Sequence, residues 1–341
     1  MPVDVARARA ETPGCTNVLH FNNAGAALMP RPVLEAVVGH LHREASLGGY
    51  EAAEAAESAI EHTYAMLARL LGCAPDEVAI VENATRAWDM AFYSVPLAPG
   101  DRVLTARAEY ASNYIAYLQV ARRTGATVEV VPSDATGQVS VDALQDMMDE
   151  RVKLISMTHV PTNGGLVNPA AGVGRVARQW QVPFLLDACQ SVGQLATRVD
   201  DLGCDMLSGT GRKYLRGPRG TGFLYVRRSL IERLEPPFLD LHAAEWTGTN
   251  QYVVRGDARR FENWESNIAA KIGLGVANRS PAAIKDALGA RRMNVTTSSR
   301  ASTLLDMDAR HLESVVRASV HYYNTEDEVA RFCATLAELA A

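Results

Sequence analysis

Two short apolar runs, each leading to a charged residue among small ones, constrain this chain more than anything else in it. Val182-Pro-Phe-Leu-Leu runs unbroken into Asp187 and on through Ala-Cys-Gln190. The stretch Asp205-Met-Leu-Ser-Gly-Thr-Gly-Arg then presents Lys213, 26 residues after Asp187. From there the chain passes Gly217-Pro-Arg-Gly-Thr-Gly222 into another apolar run, Phe223-Leu-Tyr-Val226. A run without polar alternation reads as a strand covered on both faces, which calls for helices above and below a mainly parallel sheet. Such sheets bind ligands beyond the carboxyl ends of their strands, where Asp187 and Lys213 would lie. A lysine in a small-residue loop between buried strands is badly placed as a solvated charge and well placed as an amine nucleophile. Nearby Arg212, Arg216 and Arg219 would lower its pKa by like-charge repulsion. Taken singly, Lys213 also reads as part of a basic surface loop, and Asp187 as a helix cap after a strand. Their combination is more specific than either.

The rest of the chain repeats strand and helix. Helices are expected over 32–46 and 52–71, broken by Gly48-Gly49-Tyr50, the second with Ile60, Tyr64, Leu67, Leu70 and Leu71 at helical spacing. Strands are expected over 78–81, 101–105, 127–132 and 153–159, with helices from Ala87, over 141–149 and over 267–276. After the first of these strands comes Glu82-Asn83-Ala84-Thr85-Arg86. A strand leading through such a turn into a helix suits an anion, because the first N–H groups of a helix are free and its dipole is positive there. A capped helix without a ligand reads the same way. No internal repeat or low-complexity linker interrupts the alternation.

Of the 341 residues, 48% are hydrophobic, enough for one large core or two domains. A net charge of −5 with mixed signs gives no footprint for nucleic acid or an anionic membrane. Five scattered cysteines without a Cys-x-x-Cys pair suggest neither a disulfide framework nor a zinc site and fit a reducing compartment. The first residues mix Asp4, Arg7, Arg9 and Glu11 with no apolar core of a leader, so a cytoplasmic protein is expected.

A lysine that can form a Schiff base and a carboxylate that can hold a pyridine nitrogen protonated are the two requirements of pyridoxal 5′-phosphate (PLP) chemistry. On these motifs, spread from about residue 21 to about residue 332, the chain resembles the class V aminotransferase family. These are fold-type I PLP enzymes that include cysteine desulfurases, carbon–sulfur lyases, aminotransferases and epimerases. The resemblance implies an α/β fold with a mainly parallel, seven-stranded-type sheet covered by helices, and a smaller α+β domain built from both termini. The implied boundaries are 1–30 for an active-site cover, 31–262 for the PLP-binding domain and 263–341 for the small domain. It also implies a homodimer.

By the same resemblance Lys213 carries the cofactor and moves the α-proton, and Asp187 pairs with the ring nitrogen. Gln190 and Thr162 face the O3′ edge, with Asn163 as the alternative to Thr162. Ala84 and Thr85 form the phosphate cup with Asn83, and Thr210 and Arg212 also reach the phosphate. Tyr110 stacks on the ring where desulfurases carry a histidine, with Trp88 as the alternative. Asn23 and Ala24 lie by the substrate. Arg317, in Val316-Arg-Ala-Ser-Val-His-Tyr-Tyr-Asn324, binds the α-carboxylate of a small amino acid.

Three departures bear on the reaction. The stretch Ser298-Ser-Arg-Ala-Ser-Thr-Leu-Leu-Asp-Met307 lacks the cysteine that desulfurases use, and Cys333, beyond Arg317, is expected in the core. Arg260-Phe261-Glu262 is followed by Trp264-Glu265 where relatives place the Gly-Thr that reaches a partner's phosphate. The stretch 262–317 is short, as though shortened near 277–279. The favoured expectation is a carbon–sulfur lyase on a cysteine-derived substrate, working without a persulfide cysteine. The segment Gly48-Gly-Tyr-Glu-Ala-Ala-Glu-Ala-Ala56 also resembles the lyases of ergothioneine biosynthesis. Aminotransferase or epimerase activity is the alternative, and a catalytically silent relative is the reading of another class.

Overall fold

The computed structural model describes residues 4–277 and 296–340. Its centre is a seven-stranded sheet of β1 (Val78–Val81), β2 (Arg102–Thr105), β3 (Thr127–Val130), β4 (Val152–Thr158), β5 (Phe184–Asp187), β6 (Met206–Thr210) and β7 (Gly222–Val226). The spatial order is β1-β7-β6-β5-β4-β2-β3. From β3 to β6 every neighbouring pair is parallel, while β7 is antiparallel to both β6 and β1. The sheet is therefore mixed. Between Thr210 and Gly222 the chain has no crossover helix, so it returns directly and must pair antiparallel.

The pleat divides the strands between two cores. Leu104, Ile155, Leu186 and Leu207 face one layer, with Tyr64, Leu67, Leu144, Val173 and Ala177 packed over them. Val103, Leu154, Leu185 and Met206 face the other, beneath Trp88, Met90, Phe92, Ala116 and Tyr117. Successive residues of one strand thus feed opposite cores, which is why these runs are unbroken in the sequence.

Most expected elements form, with informative differences. The helix expected over 52–71 is two, Gly49–Ala55 and Glu57–Leu71, because Ala56 leaves helical geometry (φ −104°, ψ 7°). The helix after β1 begins at Ala84, three residues early, because the Asn83 side chain accepts from Arg86 N and caps it. A hairpin of β8 (Ala244–Gly248) and β9 (Gln251–Val254) was not foreseen; its residues lack the apolar alternation of a buried strand. The C-terminal part pairs β10 (Thr296–Ser299) with β11 (Ser314–Arg317). The chain's beginning lies against it: Asn22 bridges to Ser319, and Arg9 Nη1 donates to Tyr323 O at 2.8 Å. Cys333, expected in the core, is exposed on the helix Glu326–Ala340. The shortening expected near 277–279 falls outside the described residues. Among the described residues no helix is long and apolar enough to cross a membrane.

Candidate active site

The register sets Thr158 of β4 beside Asp187 of β5, and Asp187 beside Ser208 of β6, so β4 and β5 end level while β6 runs two residues further, to Thr210. Beyond those ends lies a cavity of about 460 Å³. Asn83, Ala84 and Thr85 close one end, Arg212 and Lys213 arrive from the β6–β7 turn, and Tyr110 heads the helix Ala111–Thr124. Thr162, Asp187, Gln190 and Thr210 also line it. A second cavity of about 210 Å³ adjoins it, because Thr162 and Gln190 line both. Ala24 and Arg317 lie on this second cavity.

Asp187 is 5% exposed, and both carboxylate oxygens are held: Cys189 N donates to Oδ1 at 3.0 Å and Asn113 Nδ2 to Oδ2 at 3.1 Å. Burial lowers the Lys213 pKa from its ordinary value, with Arg212 and Arg317 acting in the same direction and Cys189 and Asp187 opposing. Of the three arginines expected to act on this lysine, only Arg212 does so. Arg219 is exposed. Arg216 turns away and is buried, donating through Nε to Leu28 O at 2.9 Å, through Nη1 to Tyr322 OH at 2.5 Å and through Nη2 to Thr12.

At the other end, the helix Ala84–Phe92 offers the free N–H groups of its first turn to the cavity. Gly222 makes this end possible. A Cβ there would stand 2.3 Å from the Asn83 carbonyl carbon and 2.7 Å from Ala84 N. Tyr110 keeps part of its surface free (36% exposed), whereas Trp88 is 1% exposed and packs on Phe92 with centroids 4.7 Å apart. Trp88 is therefore core and not available to a ligand.

On the second cavity Arg317 donates through Nη1 to Thr162 O at 2.9 Å, while its Nε is buried without a partner among the described residues. Gln190 Oε1 is likewise buried and unpartnered among the described residues. Asn163 donates instead to Thr303 Oγ1 at 2.7 Å. The Asn23 side chain lies outside both cavities, bonded to Ser319 O and Tyr323 OH. His159, 5% exposed, has its pKa pushed down to about 4 by burial.

Sequence reasoning did not single out Asn113, Thr158 and Cys189, which line the main cavity, or Glu109, buried beside them. The spacing of Glu109 and Asn113, one helical turn apart, was the available signal. The Cys189 thiol is pushed well above its ordinary pKa by burial and by Asp187.

The family model described as aminotransferase class-V matches residues 19–285. The chain belongs to the class V aminotransferase family. As a member of it, the protein is a PLP-dependent enzyme. Among its relatives is a protein named probable cysteine desulfurase from Methanothermobacter thermautotrophicus, 26% identical with 97% of each chain covered. Their alignment runs over 397 positions against 341 residues here, so this class V member carries gaps relative to that protein. Another probable cysteine desulfurase, from Xylella fastidiosa, is 33% identical over 76% of this chain and 64% of its own. The fold matches the apo cysteine desulfurase of Thermococcus onnurineus NA1 with a TM-score of 0.87 at 22% identity, covering 99% of this chain and 98% of that one. It also matches a cystine C–S lyase solved with cysteine persulfide, at a TM-score of 0.82 and 21% identity over 96% and 99% of the two chains.

The cavity suits the family's cofactor on its own chemistry. It combines a carboxylate, a lysine of lowered pKa, an arginine beside a free helix N-terminus and an unpartnered acceptor in Gln190. Those are partners for a ring nitrogen, an aldehyde, a phosphate and a phenolic hydroxyl respectively.

Proposed function

We propose that this enzyme is a carbon–sulfur lyase that cleaves a cysteine-derived amino acid by β-elimination, without forming a persulfide on the protein. In this reading Asp187 holds the proton on the ring nitrogen, Tyr110 covers the ring, and Gln190 and Thr162 face its hydroxyl edge. Ala84, Thr85, Thr210 and Arg212 hold the phosphate. Bound there, PLP supplies an electron sink for charge that develops at the substrate's Cα.

Arg317 receives the substrate carboxylate. Its Nε, buried with no partner among the described residues, and its place on the cavity that adjoins the main one support that role. With the cofactor and substrate bound, Lys213 would take the α-proton on its neutral amine. Burial, which lowers its pKa, favours the neutral amine that a base needs. The overall products would be a thiol, which carries off the sulfur with a proton, and an enamine, which water hydrolyses to pyruvate and ammonia.

The observation that carries the choice of lyase over desulfurase concerns cysteine. The chain has none between Cys204 and Cys333. The one cysteine lining the main cavity, Cys189, is held as a thiol by burial and by Asp187, and it is the thiolate that attacks sulfur.

The test supplies cysteine, cystine and S-alkylcysteines to the PLP-loaded enzyme without any keto acid. Pyruvate and ammonia in equal amounts, absent with Lys213→Ala, are expected. Alanine with protein-bound sulfane sulfur would mean desulfuration, and turnover only with an added keto acid would mean transamination. Either result overturns the lyase reading.

A further inference from the structure

Glu109 is 3% exposed, and no cation forms an ion pair with it among the described residues. Five donors converge on it instead. Oε1 accepts from Tyr110 N at 2.8 Å, from Asn113 Nδ2 at 2.9 Å and from the Thr158 hydroxyl. Oε2 accepts from Thr158 N at 2.9 Å and from Thr105 Oγ1 at 3.3 Å. The Asn113 amide that reaches Glu109 also reaches Asp187 Oδ2 at 3.1 Å. One NH₂ group therefore spans two carboxylates, one hydrogen to each.

An unpaired buried carboxylate is costly, so a folded chain keeps one only where the surroundings or a ligand offset it. Its donors offset part of that cost. They also fix its neighbours: Asn113 is pinned with its second hydrogen aimed at Asp187, and the backbone of Tyr110 is tied at the head of the helix Ala111–Thr124.

We propose that Glu109 is a positioning residue for the cofactor seat. It orients Asp187 through Asn113 and Tyr110 through its backbone N–H, and it adds a second negative charge behind the ring nitrogen. This rests on the reading in which Asp187 meets that nitrogen. The titratable groups facing Glu109 are Asp187 on β5 and Tyr117 on the helix Ala111–Thr124, neither of them a cation. Burial pushes the Glu109 pKa up to about 7, with Asp187 adding to the rise, so its charge switches on across neutral pH. A carboxyl placed for packing alone would give no such pH dependence.

The experiment measures PLP affinity of the cofactor-stripped full chain by absorbance and fluorescence titration, for wild type, Glu109→Gln and Asn113→Ala, from pH 5.5 to 8.5. At pH 5.5 wild type and Glu109→Gln should differ only by the hydrogen bonds that a glutamine NH₂ cannot accept, and the gap should then widen as pH rises. By pH 8.5 wild type should be about tenfold the tighter, because only there does it carry the extra charge. Asn113→Ala, which cuts the link to Asp187 and leaves the carboxylate, should bind several-fold more weakly at every pH. An affinity ratio between wild type and Glu109→Gln that does not change with pH overturns the proposal, as does Asn113→Ala binding as wild type does. A wild type that takes up PLP while Asp187→Asn binds equally well would instead overturn the reading beneath it.

Discussion

Arg317 sits at the end of β11 with one guanidinium nitrogen committed to Thr162 O and Nε buried without a partner. A bidentate carboxylate would satisfy that nitrogen, and truncating one partner of such a pair typically costs about 2–5 kcal/mol. Arg317→Met should therefore raise KM for an amino-acid substrate by roughly two orders of magnitude, while the visible spectrum of bound PLP stays unchanged. An unaltered KM would remove Arg317 from substrate binding. This residue was legible because an arginine stands in a strand whose neighbours are apolar. Lys213 and Asp187 were legible for the same reason, as charges at the ends of apolar runs. The cause of the lysine's lowered pKa was not. Burial dominates it, and Arg216, three residues on, spends its charge on Leu28, Tyr322 and Thr12. Glu109 escaped notice because a glutamate at a helix entrance reads as solvated until five donors are seen to converge on it.

Among the elements, the sheet was the most readable part, since both of its faces are covered and its strands announce themselves as unbroken runs. Turns were less so. The early start of the helix after β1 depends on one Asn83 side-chain bond, and the break at Ala56 has no glycine or proline to mark it. The close approach of β7 to the helix entrance was also invisible, because Gly222 has an ordinary loop context and only packing shows why no side chain fits. Gly222→Ala would press a methyl group onto Asn83 and Ala84 backbone atoms at 2.3 and 2.7 Å, and backbone cannot rotate aside as a side chain does. The expected result is a loss of about 1–3 kcal/mol in stability and at least tenfold weaker PLP binding, since the free N–H groups of Ala84 and Thr85 would be displaced. Gly49→Ala is the control, because a Cβ there meets nothing within 4 Å and the site lies inside a helix. Thermal unfolding and PLP titration of both variants would decide it; equal behaviour would mean that the helix entrance tolerates displacement.

At the scale of the whole molecule, three buried groups make stability depend on pH. Burial holds the His159 pKa down at about 4 and, with Arg216, that of His321 at about 3, against an ordinary 6.5. Between pH 6.5 and about 4 the unfolded chain binds two protons that the folded chain refuses, so stability falls on acidification. Glu109 works the other way. Its raised pKa lets the fold keep a proton between about 4.5 and 7 that the unfolded chain releases, so its contribution is lost as pH rises. Across the shared window, about 4.5 to 6.5, these three contribute a net of one proton, roughly 1–2 kcal/mol per pH unit, to which His20, its pKa also lowered by burial, adds and Asp89, its pKa raised by burial, is opposed. Urea unfolding of the cofactor-free protein at several pH values in that window should show stability falling on acidification. Glu109→Gln removes the opposing group, so its acid loss should be steeper than that of wild type, whereas His321→Asn should make it shallower. Were all three profiles parallel, the buried groups would not be titrating with folding, and the acid sensitivity of this fold would have to come from its surface carboxylates instead.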